Sequence, residues 1–392
     1  MSSSIRYYWL NIQMKKRFLL THGRTFIALD LARLLHIAGH EVMIADSHSL
    51  HFTRFSNTVK KSFKVPAPRF DPKGFINKLV SIVKEENIDI LIPTFEEVLT
   101  ISSSLAAFPK KCQVFAEPLE KLMPLHSKWL FNQKLKAYGF PTPESYSATT
   151  RDALENIPLK RPYILKPSFS RQAQNIFFIE ENKPLPPLTF EQNNPWVAQE
   201  FLTGKKYCTY SIAVNGKLLA HSVYPADETA EGNYCVLFRP IQHEKIQNWV
   251  EKFIKLENFT GQIAFDFIDN GNLHAIECNP RATNGLLLFT EQDQLERAFL
   301  NQTNTLITPS TKKGKQIAGA MLLYGWRHIG FKKYCKSLFS YSDVVFSIRD
   351  LKPFLSIPLI YLYYMKKCYK QKLSLAYLYT HDIDWNGEPT NS

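Results

Sequence analysis

Apolar residues follow two different spacings in the first part of the chain. Short apolar runs predict β-strands at 17–20, 41–45 and 88–92. Between these runs, apolar residues recur every three or four positions, which predicts helices at 27–38 and 75–86. Gly39 stands where a helix commonly ends. Such an alternation of strands and helices predicts a parallel sheet covered by helices.

The pattern changes after residue 126. A helix is predicted at 128–138, and Pro141-Thr142-Pro143 then favours an extended chain. Short strand-like runs follow, and two of the breaks between them are the pairs Asn215-Gly216 and Asn270-Gly271. Asn-Gly is typical of a two-residue type I′ turn. We therefore predict two hairpins, one joining 207–214 to 217–224 and one joining 263–268 to 273–278.

Length and composition suggest several globular domains. A chain of 392 residues is too long for one hydrophobic core, and 45% hydrophobic with 21% charged residues is a globular composition. We predict an α/β and α+β multidomain fold in four parts: an extension at 1–16, a parallel α/β domain at 17–125, a second domain at 126–300, and a basic, aromatic-rich module at 301–392.

The second hairpin gathers polar side chains. Side chains along a strand point alternately to its two faces. If Asp269 pairs with Asn272, one face therefore holds Asp266, Ala275, Glu277 and Asn279. The other face then holds Phe265, Phe267, His274 and Ile276. Two carboxylates and an amide oxygen suit Mg²⁺, which binds through one or two carboxylates and substrate phosphates. Arg281 continues the polar face and would offset phosphoryl charge. The alternative is a solvated face of an edge hairpin.

A lysine elsewhere strengthens the metal interpretation. Lys166 ends an apolar strand at 163–165 and precedes Pro167, a position that suits a lysine fixed against a phosphate. The alternative is a lysine in solvent at the end of a strand.

The order of these residues resembles the ATP-grasp superfamily. The matching positions are Lys128, Tyr163-Ile164-Leu165-Lys166-Pro167, Gln199-Glu200-Phe201-Leu202, Asp266 and Glu277-Cys278-Asn279-Pro280-Arg281. The chain is most similar to the branch of the carbamoyl-phosphate synthase large subunit, the D-Ala-D-Ala ligases and biotin carboxylase. The resemblance covers 17–300. It implies a pre-ATP-grasp domain at 17–125 and a two-lobed ATP-grasp domain at 126–300.

The resemblance also implies residue roles. Lys128, Lys166 and Ser168 would contact ATP phosphates, and Glu200 (by its main chain) and Leu202 (by its amide) would bind adenine. Asp266, Glu277 and Asn279 would bind Mg²⁺, with Mn²⁺ as an alternative metal. Arg281 and Lys166 would act on the transferred phosphoryl group. Thr283, Asn284 and Gly285 would line the acceptor site.

Three positions depart from the family pattern. Lys206 stands where relatives usually have an acid for the ribose. The loop 167–171 has no glycine, so Ser168, Ser170 and Arg171 would replace a glycine-rich lid. Arg239 precedes the metal hairpin where acids are common, and we expect it to add positive charge near the phosphates.

The implied activity is an ATP- and Mg²⁺-dependent ligation of a small-molecule carboxylate to an amine through an acyl phosphate. The alternative is a catalytically silent ATP-binding sensor or scaffold with the same fold. A homodimer is compatible with either. Gly23 is the only glycine in the first strand-to-helix turn, and a dinucleotide fingerprint needs three, so NAD binding is not expected.

Charge and cysteine content bear on partners and location. Of the net charge of +13, +8 lies after residue 300. This bias indicates an anionic partner, a membrane surface, a polyphosphate substrate or simply a solvated basic face. No spaced aromatic-basic motif points to nucleic acid, so none is expected. The six cysteines form no CxxC pair, and Thr21-His22-Gly23-Arg24 interrupts any secretory signal, so we expect free thiols and a cytoplasmic protein.

The run 354–364 is too apolar to stand alone in water. No stretch of 18 apolar residues exists, so stable membrane insertion is not expected. Pro358 limits a helix here to the residues after it. We favour a helix that docks on the ATP-grasp domain with Lys366, Lys367, Lys370 and Lys372 outside, over a helix that lies in a membrane interface.

Overall fold

The predicted parallel sheet is present in a computed structural model that describes residues 15–160, 162–170, 175–181, 183–226, 229–230, 234–320 and 340–385. Its strands are β1 (Arg17–Thr21), β2 (Glu41–Asp46), β3 (Val59–Lys64), β4 (Ile90–Ile92) and β5 (Gln113–Val114), all parallel, in the order β3-β2-β1-β4-β5. The first helices are α1 (Phe26–Ile37), α2 (Pro72–Glu85), α3 (Glu97–Ser102) and α4 (Leu119–His126).

Helices cover both faces of this sheet. Phe18 and Leu20 of β1 pack against α1, whereas Leu19 between them packs against α2. Strands buried on both faces carry continuous apolar runs, which is why 17–20 and 41–45 were predictable as strands. The apolar cluster between α1 and the sheet extends into the second region, because it also contains Tyr210 and Phe289.

The second region contains two antiparallel sheets. The smaller one, in the order β6-β9-β7-β8, consists of β6 (Ser145–Ala148), β7 (Tyr163–Pro167), β8 (Phe177–Ile179) and β9 (Trp196–Glu200). The larger one, in the order β11-β10-β15-β16, consists of β10 (Lys205–Val214), β11 (Lys217–Pro225), β15 (Gly261–Asp269) and β16 (Leu273–Asn279). The helices are α5 (Lys128–Ala137), α6 (Arg151–Glu155), α7 (Glu244–Glu257) and α8 (Glu296–Phe299), and α7 covers one face of the larger sheet.

The first hairpin forms as predicted, whereas the register predicted for the second is wrong. Asn215 and Gly216 both have positive φ, as a type I′ turn requires. In the second hairpin Asp269 pairs with Leu273, and only Gly271 of the three loop residues has positive φ. A bulge then makes Ile276 the extra residue of β16 and brings Asp266 opposite Glu277. Ala275 consequently joins the apolar side.

The C-terminal module docks on the N-terminal domain. Short strands and helices build it: β17 (Lys315–Gln316), β18 (Ser342–Asp343), α9 (Ala318–Ala320), α10 (Lys352–Leu355), α11 (Ile357–Gln371) and α12 (Leu375–Leu378). Strand β17 pairs with β14 (Leu237–Phe238) of the second region, which also contains β12 (Thr229–Ala230) and β13 (Tyr234–Cys235). Helix α11 packs beside Phe52 and Phe55 of a 3-10 turn after β2. The docking expected on 126–300 is met only at Ile357, which packs on a cluster that contains Tyr224 and Phe238, because the main apolar partner of α11 is this turn. Pro358 lies in the first turn of α11, where a proline is tolerated.

The end of the described chain crosses the carboxyl ends of β1 and β2. Arg24, fully buried after β1, forms ion pairs with Asp46 (2.7 Å) and with Asp382 (2.9 Å). Burial alone would raise the pKa of Asp382, but the Arg24 charge outweighs it and lowers that pKa. Trp385 then packs edge-on against Phe169, with ring centroids 4.9 Å apart. This segment thus connects the N-terminal sheet to the second region.

Removal of the Asp382 carboxylate should destabilise the fold. Asp382→Ala leaves the buried guanidinium of Arg24 with only one of its two carboxylate partners. This change should lower the free energy of unfolding by about 3 kcal/mol. The control is Arg349→Ala, which breaks a pair with Glu291 whose side chains are 78% and 42% exposed. That change should cost less than about 1 kcal/mol. Urea titration checks both values, and equal losses in the two variants would contradict a stabilising role for Asp382.

Candidate active site

Two carboxylates face each other on the larger sheet. Asp266 of β15 lies directly opposite Glu277 of β16, and Asn279 follows on the same strand. Burial, and next the charge of Glu277, raise the pKa of Asp266. Burial also acts to raise the pKa of Glu277, but Lys128 and Lys166 outweigh it and lower that pKa. Two carboxylates this close repel each other when both are ionised, so nearby positive charge stabilises the pair.

Two buried lysines provide that charge from the other side of a cleft. Lys128 is the first residue of α5, and its Nζ lies 3.3 Å from Glu277 Oε1 and donates to the Ser170 carbonyl at 2.7 Å. Lys166 of β7 donates from Nζ to Gln199 Oε1 at 3.0 Å and to the Ile276 carbonyl at 3.5 Å. The bulge at Ile276 therefore turns a carbonyl towards the smaller sheet. Lys128 of α5 and Lys166 of the smaller sheet thus line a cleft with the acids of the larger sheet.

Lys166 has a lowered pKa of about 8. Burial is the main cause, and the charge of Lys128 adds to it, whereas Glu277 and Asp266 oppose the shift. A lysine near its pKa at neutral to mildly basic pH gains its full charge when an anion enters the cleft.

Ser168 holds the start of α5, the helix that carries Lys128. Its hydroxyl lies 2.8 Å from the hydroxyl of Ser127, which caps α5, and its carbonyl accepts from the Lys128 amide. Its own amide donates to the Pro195 carbonyl. Ser168 thus fixes the start of α5 in this conformation, and its predicted phosphate contact stays a prediction. Arg171, the predicted counter-charge in this loop, lies outside the described residues.

The predicted adenine hinge is the link between the two sheets. Glu200 ends β9 with an exposed side chain, and its amide donates to the Glu144 carbonyl. Leu202 lies in the short connection before β10, half-buried. Lys206 is exposed on β10 opposite Ile268, so the structure offers no acid at the predicted ribose position.

Arg281 joins the acid pair to the N-terminal sheet. Its guanidinium donates to Asn279 Oδ1 (3.1 Å) and lies 3.5 Å from Glu96 Oε1. It also stacks over the Phe95 ring at 4.2 Å. Phe95 and Glu96 follow strand β4. His22, which follows β1, stacks on the same Phe95 ring, with ring centroids 5.2 Å apart. The sequence analysis missed Phe95 and Glu96, although the carboxyl ends of parallel strands commonly build ligand sites.

A family comparison covers this cleft. Residues 125–285 match the ATP-grasp domain family, and the matched stretch includes Lys128, Lys166, the predicted hinge residues and the acid pair Asp266 and Glu277.

Residues 125–285 are an ATP-grasp domain.

Solved structures share the fold over most of the chain. L-amino acid ligase from Bacillus licheniformis has a TM-score of 0.57 at 14% identity, over 76% of this chain and 79% of that one. N5-carboxyaminoimidazole synthetase from Staphylococcus aureus, complexed with ADP, has a TM-score of 0.59 at 16% identity, over 77% and 82%. Biotin carboxylase from Campylobacter jejuni has a TM-score of 0.54 at 13% identity, over 83% and 71%. No curated protein matches the chain by sequence. The predicted ATP-grasp resemblance and fold class are confirmed, whereas the predicted domain boundaries stay predictions.

The three predicted acceptor residues of the ATP-grasp domain differ in accessibility. Thr283 donates from its hydroxyl to the Thr209 carbonyl (3.2 Å), and the buried Gly285 accepts from the Ser222 hydroxyl (2.9 Å). A Cβ at Gly285 would lie 2.5 Å from the Tyr210 Cβ. Asn284 is half-buried, and its side chain has no hydrogen-bond partner among the described residues. Of the three, Asn284 is therefore the side chain best able to meet a substrate.

Arg239 does not lie with the phosphate-side lysines. It lines a cavity of about 660 Å³ together with His221 and Lys312. His221 pairs with Ser211 on the face of the larger sheet that α7 covers, which is the face opposite Asp266. Among the described side chains, none of the predicted phosphate residues contacts Arg239. The expectation that Arg239 adds charge near the phosphates therefore finds no support in its position.

The oxygen donors of the ATP-grasp domain fit a magnesium ion. Asp266, Glu277 and Asn279 offer two carboxylates and one amide oxygen, which are hard ligands. No group of three or more His, Cys, Asp or Glu side chains suited to a metal occurs within the described parts of the chain. Magnesium commonly completes such a partial set with water and phosphate oxygens.

The shifted pKa of Lys166 predicts how ATP affinity depends on pH. ATP phosphates favour the charged form of Lys166. Above a pH of about 8 the lysine of the free protein is mostly neutral, so ATP binding must then take up a proton. The affinity should then fall about tenfold per pH unit. Lys166→Arg keeps its charge throughout this range, so its affinity should not vary. Calorimetry in buffers of different ionisation enthalpy checks both, and a pH-independent affinity of the unaltered protein would contradict the prediction.

The packing of Gly285 predicts a cost in stability. Gly285→Ala forces the new methyl against Tyr210 and Ser222, and overpacking of this kind should lower the free energy of unfolding by about 1–3 kcal/mol. The control is Gly319→Ala, because a Cβ at Gly319 meets no atom of the described residues within 4 Å. Urea unfolding compares the two variants. An unchanged stability of Gly285→Ala would show that the cleft has room at this position.

Proposed function

We propose that the chain is an ATP- and Mg²⁺-dependent ligase that activates a carboxylate as an acyl phosphate and joins it to an amine. The observation that supports the proposal most directly is the arrangement across the cleft, where Lys128 and Lys166 face Asp266 and Glu277. Phosphoryl transfer requires positioning and charge neutralisation more than a protein nucleophile, and these residues supply both.

In the proposed reaction a carboxylate oxygen attacks the γ-phosphorus of ATP, and the bond to ADP breaks. The amine then attacks the acyl carbon, and inorganic phosphate leaves as the amide forms. Lys128 and Lys166 bind phosphate oxygens, and Arg281 neutralises charge on the group in transfer. Asp266, Glu277 and Asn279 would hold Mg²⁺, which when bound would neutralise phosphate charge and align the oxygens.

Other chain residues position these groups. Gln199 and the Ile276 carbonyl orient Lys166, and Glu96 and Phe95 orient Arg281. An acyl phosphate hydrolyses readily, so the cleft must exclude water while the intermediate exists. We propose that the loop after Lys166 and the segment that carries Trp385 serve this purpose, since Trp385 packs on Phe169 of that loop.

We propose small-molecule carboxylate and amine substrates. The neighbouring L-amino acid ligase acts, by its name, on amino acids, and the carboxyaminoimidazole synthetase by its name produces a small carboxylated product. A cytoplasmic location and a homodimer stay predictions.

A second candidate function is a catalytically silent ATP-binding sensor. Two features favour it: Lys206 replaces the expected acid, and Lys128 Nζ already lies 3.3 Å from Glu277, where it competes with a metal ion. A sensor would bind ATP without any release of ADP.

The test of the ligase proposal is Glu277→Gln. The change removes one charge from the metal pair without altering side-chain size, and ADP formation should fall on the order of 10²-fold or more. The assay measures ADP release against a panel of carboxylic acids and amines with Mg²⁺. Glu244→Gln, an exposed change at the start of α7, is the control and should keep full activity.

Two outcomes would oppose the ligase proposal. ADP formation at the unaltered rate in Glu277→Gln would remove the acid pair from the mechanism. Tight ATP binding by the unaltered protein, with no ADP released for any acid and amine pair, would favour the sensor instead.

A further inference from the structure

Helix α11 is apolar on two sides. Its inner side, formed by Ile360, Tyr364 and Cys368, is buried against the turn at 52–55. Its outer side begins with exposed leucines, one at the end of α10 and two on the first turns of α11. These are Leu355, Leu359 and Leu362, which are 69%, 50% and 66% exposed. Exposed leucines at a spacing of three or four residues form one stripe on a helix.

The apolar stripe continues onto neighbouring segments. The same stretch of sequence carries seven more large side chains that are at least 40% exposed, and most precede α11: Phe346, Ile348, Leu351, Phe354, Tyr361, Met365 and Tyr369. We call these residues and the three leucines the outer apolar surface. Exposed apolar clusters of this size on a folded domain commonly mark an interaction site.

The charges around the outer apolar surface are positive. The lysines of this segment are Lys352, Lys366, Lys367, Lys370 and Lys372, and all but Lys367 are exposed. No acidic residue occurs between Asp350 and Asp382. Both of these acids are buried and paired with arginines, Asp350 with Arg33 and Asp382 with Arg24. These two acids are therefore directed inward, whereas most lysines of the same segment lie outward.

The leucines and the lysines occupy different halves of the outer side of α11. Lys366 and Lys370 follow Leu359 and Leu362 on the same outer side of α11, one and two turns closer to its end. The first half of the outer side is thus apolar and the second half basic. Tyr369, 89% exposed, lies among the lysines, and amphipathic aromatic side chains favour the boundary between apolar and aqueous layers.

We propose that the outer apolar surface of α10 and α11 binds the surface of a membrane that contains anionic lipids. Apolar side chains would enter the headgroup boundary, and the lysines would contact anionic headgroups. No described helix is long and apolar enough to cross a bilayer, so the association is peripheral. A second copy of the chain is a poorer partner, because a two-fold contact would bring lysines against lysines.

The experiment is flotation of the full chain with vesicles of phosphatidylcholine alone or mixed with phosphatidylglycerol. The protein should float with the anionic vesicles only, and should detach as salt is raised, because exposed charges are screened. Leu359→Glu combined with Leu362→Glu should abolish flotation. Leu256→Glu is the matched control, since Leu256 is 48% exposed on α7, and it should float normally.

A second pair of variants tests the charges. Lys366→Ala with Lys370→Ala should weaken binding, whereas Lys73→Ala with Lys78→Ala on α2 should not. Gel filtration of each variant reports its oligomeric state. No flotation of the unaltered protein, or equal flotation of the leucine variant and its control, would overturn the proposal. A dimer that only Leu359→Glu with Leu362→Glu dissociates, without vesicle binding, would identify the surface as a contact between copies. None of these results depends on ligase activity.

Discussion

The bulge at Ile276 is the local constraint on which the cleft depends. Without it, β16 would place Ile276 opposite Asp266 and the two carboxylates would not meet. The extra residue shifts the strand by one position, so Glu277 faces Asp266 while Ala275 and Cys278 both remain in the apolar core. The same distortion turns the Ile276 carbonyl towards Lys166. One inserted residue thus sets the acid pair and also helps to hold a lysine of the opposite sheet.

The N-terminal sheet acts as a platform for the ATP-grasp domain. The residues after β1 and β4 reach the cleft, since Phe95 and Glu96 hold the guanidinium of Arg281. The residues after β1 and β2 bind the end of the chain through Arg24. Because the carboxyl ends of parallel strands meet at one edge, a single edge supports both contacts. The orientation of Arg281 therefore depends on how the sheet and the ATP-grasp domain are packed together.

The sequence predicted the elements well and their exact alignment poorly. Continuous apolar runs identified β1 and β2, and Asn215-Gly216 identified its hairpin, because these signals are local. The second hairpin carried the same Asn-Gly signal, but its loop has three residues instead of two, and the bulge at Ile276 shifts the pairing again. A contact such as Glu96 with Arg281 joins residues 185 positions apart, and no local pattern encodes it. The partner of α11 was missed for the same reason.

The net charge of +13 has different physical origins in different parts of the chain. In the cleft, Lys128 and Lys166 are buried and face acids, so their charge acts over short distances where water is scarce. Between residues 350 and 382, the two acids are buried against arginines and most of the lysines stand in solvent, so the lysine charge acts outward and is weakened by salt. A composition total cannot separate these two cases. The separation requires knowing which charges are buried, and burial follows from the tertiary fold.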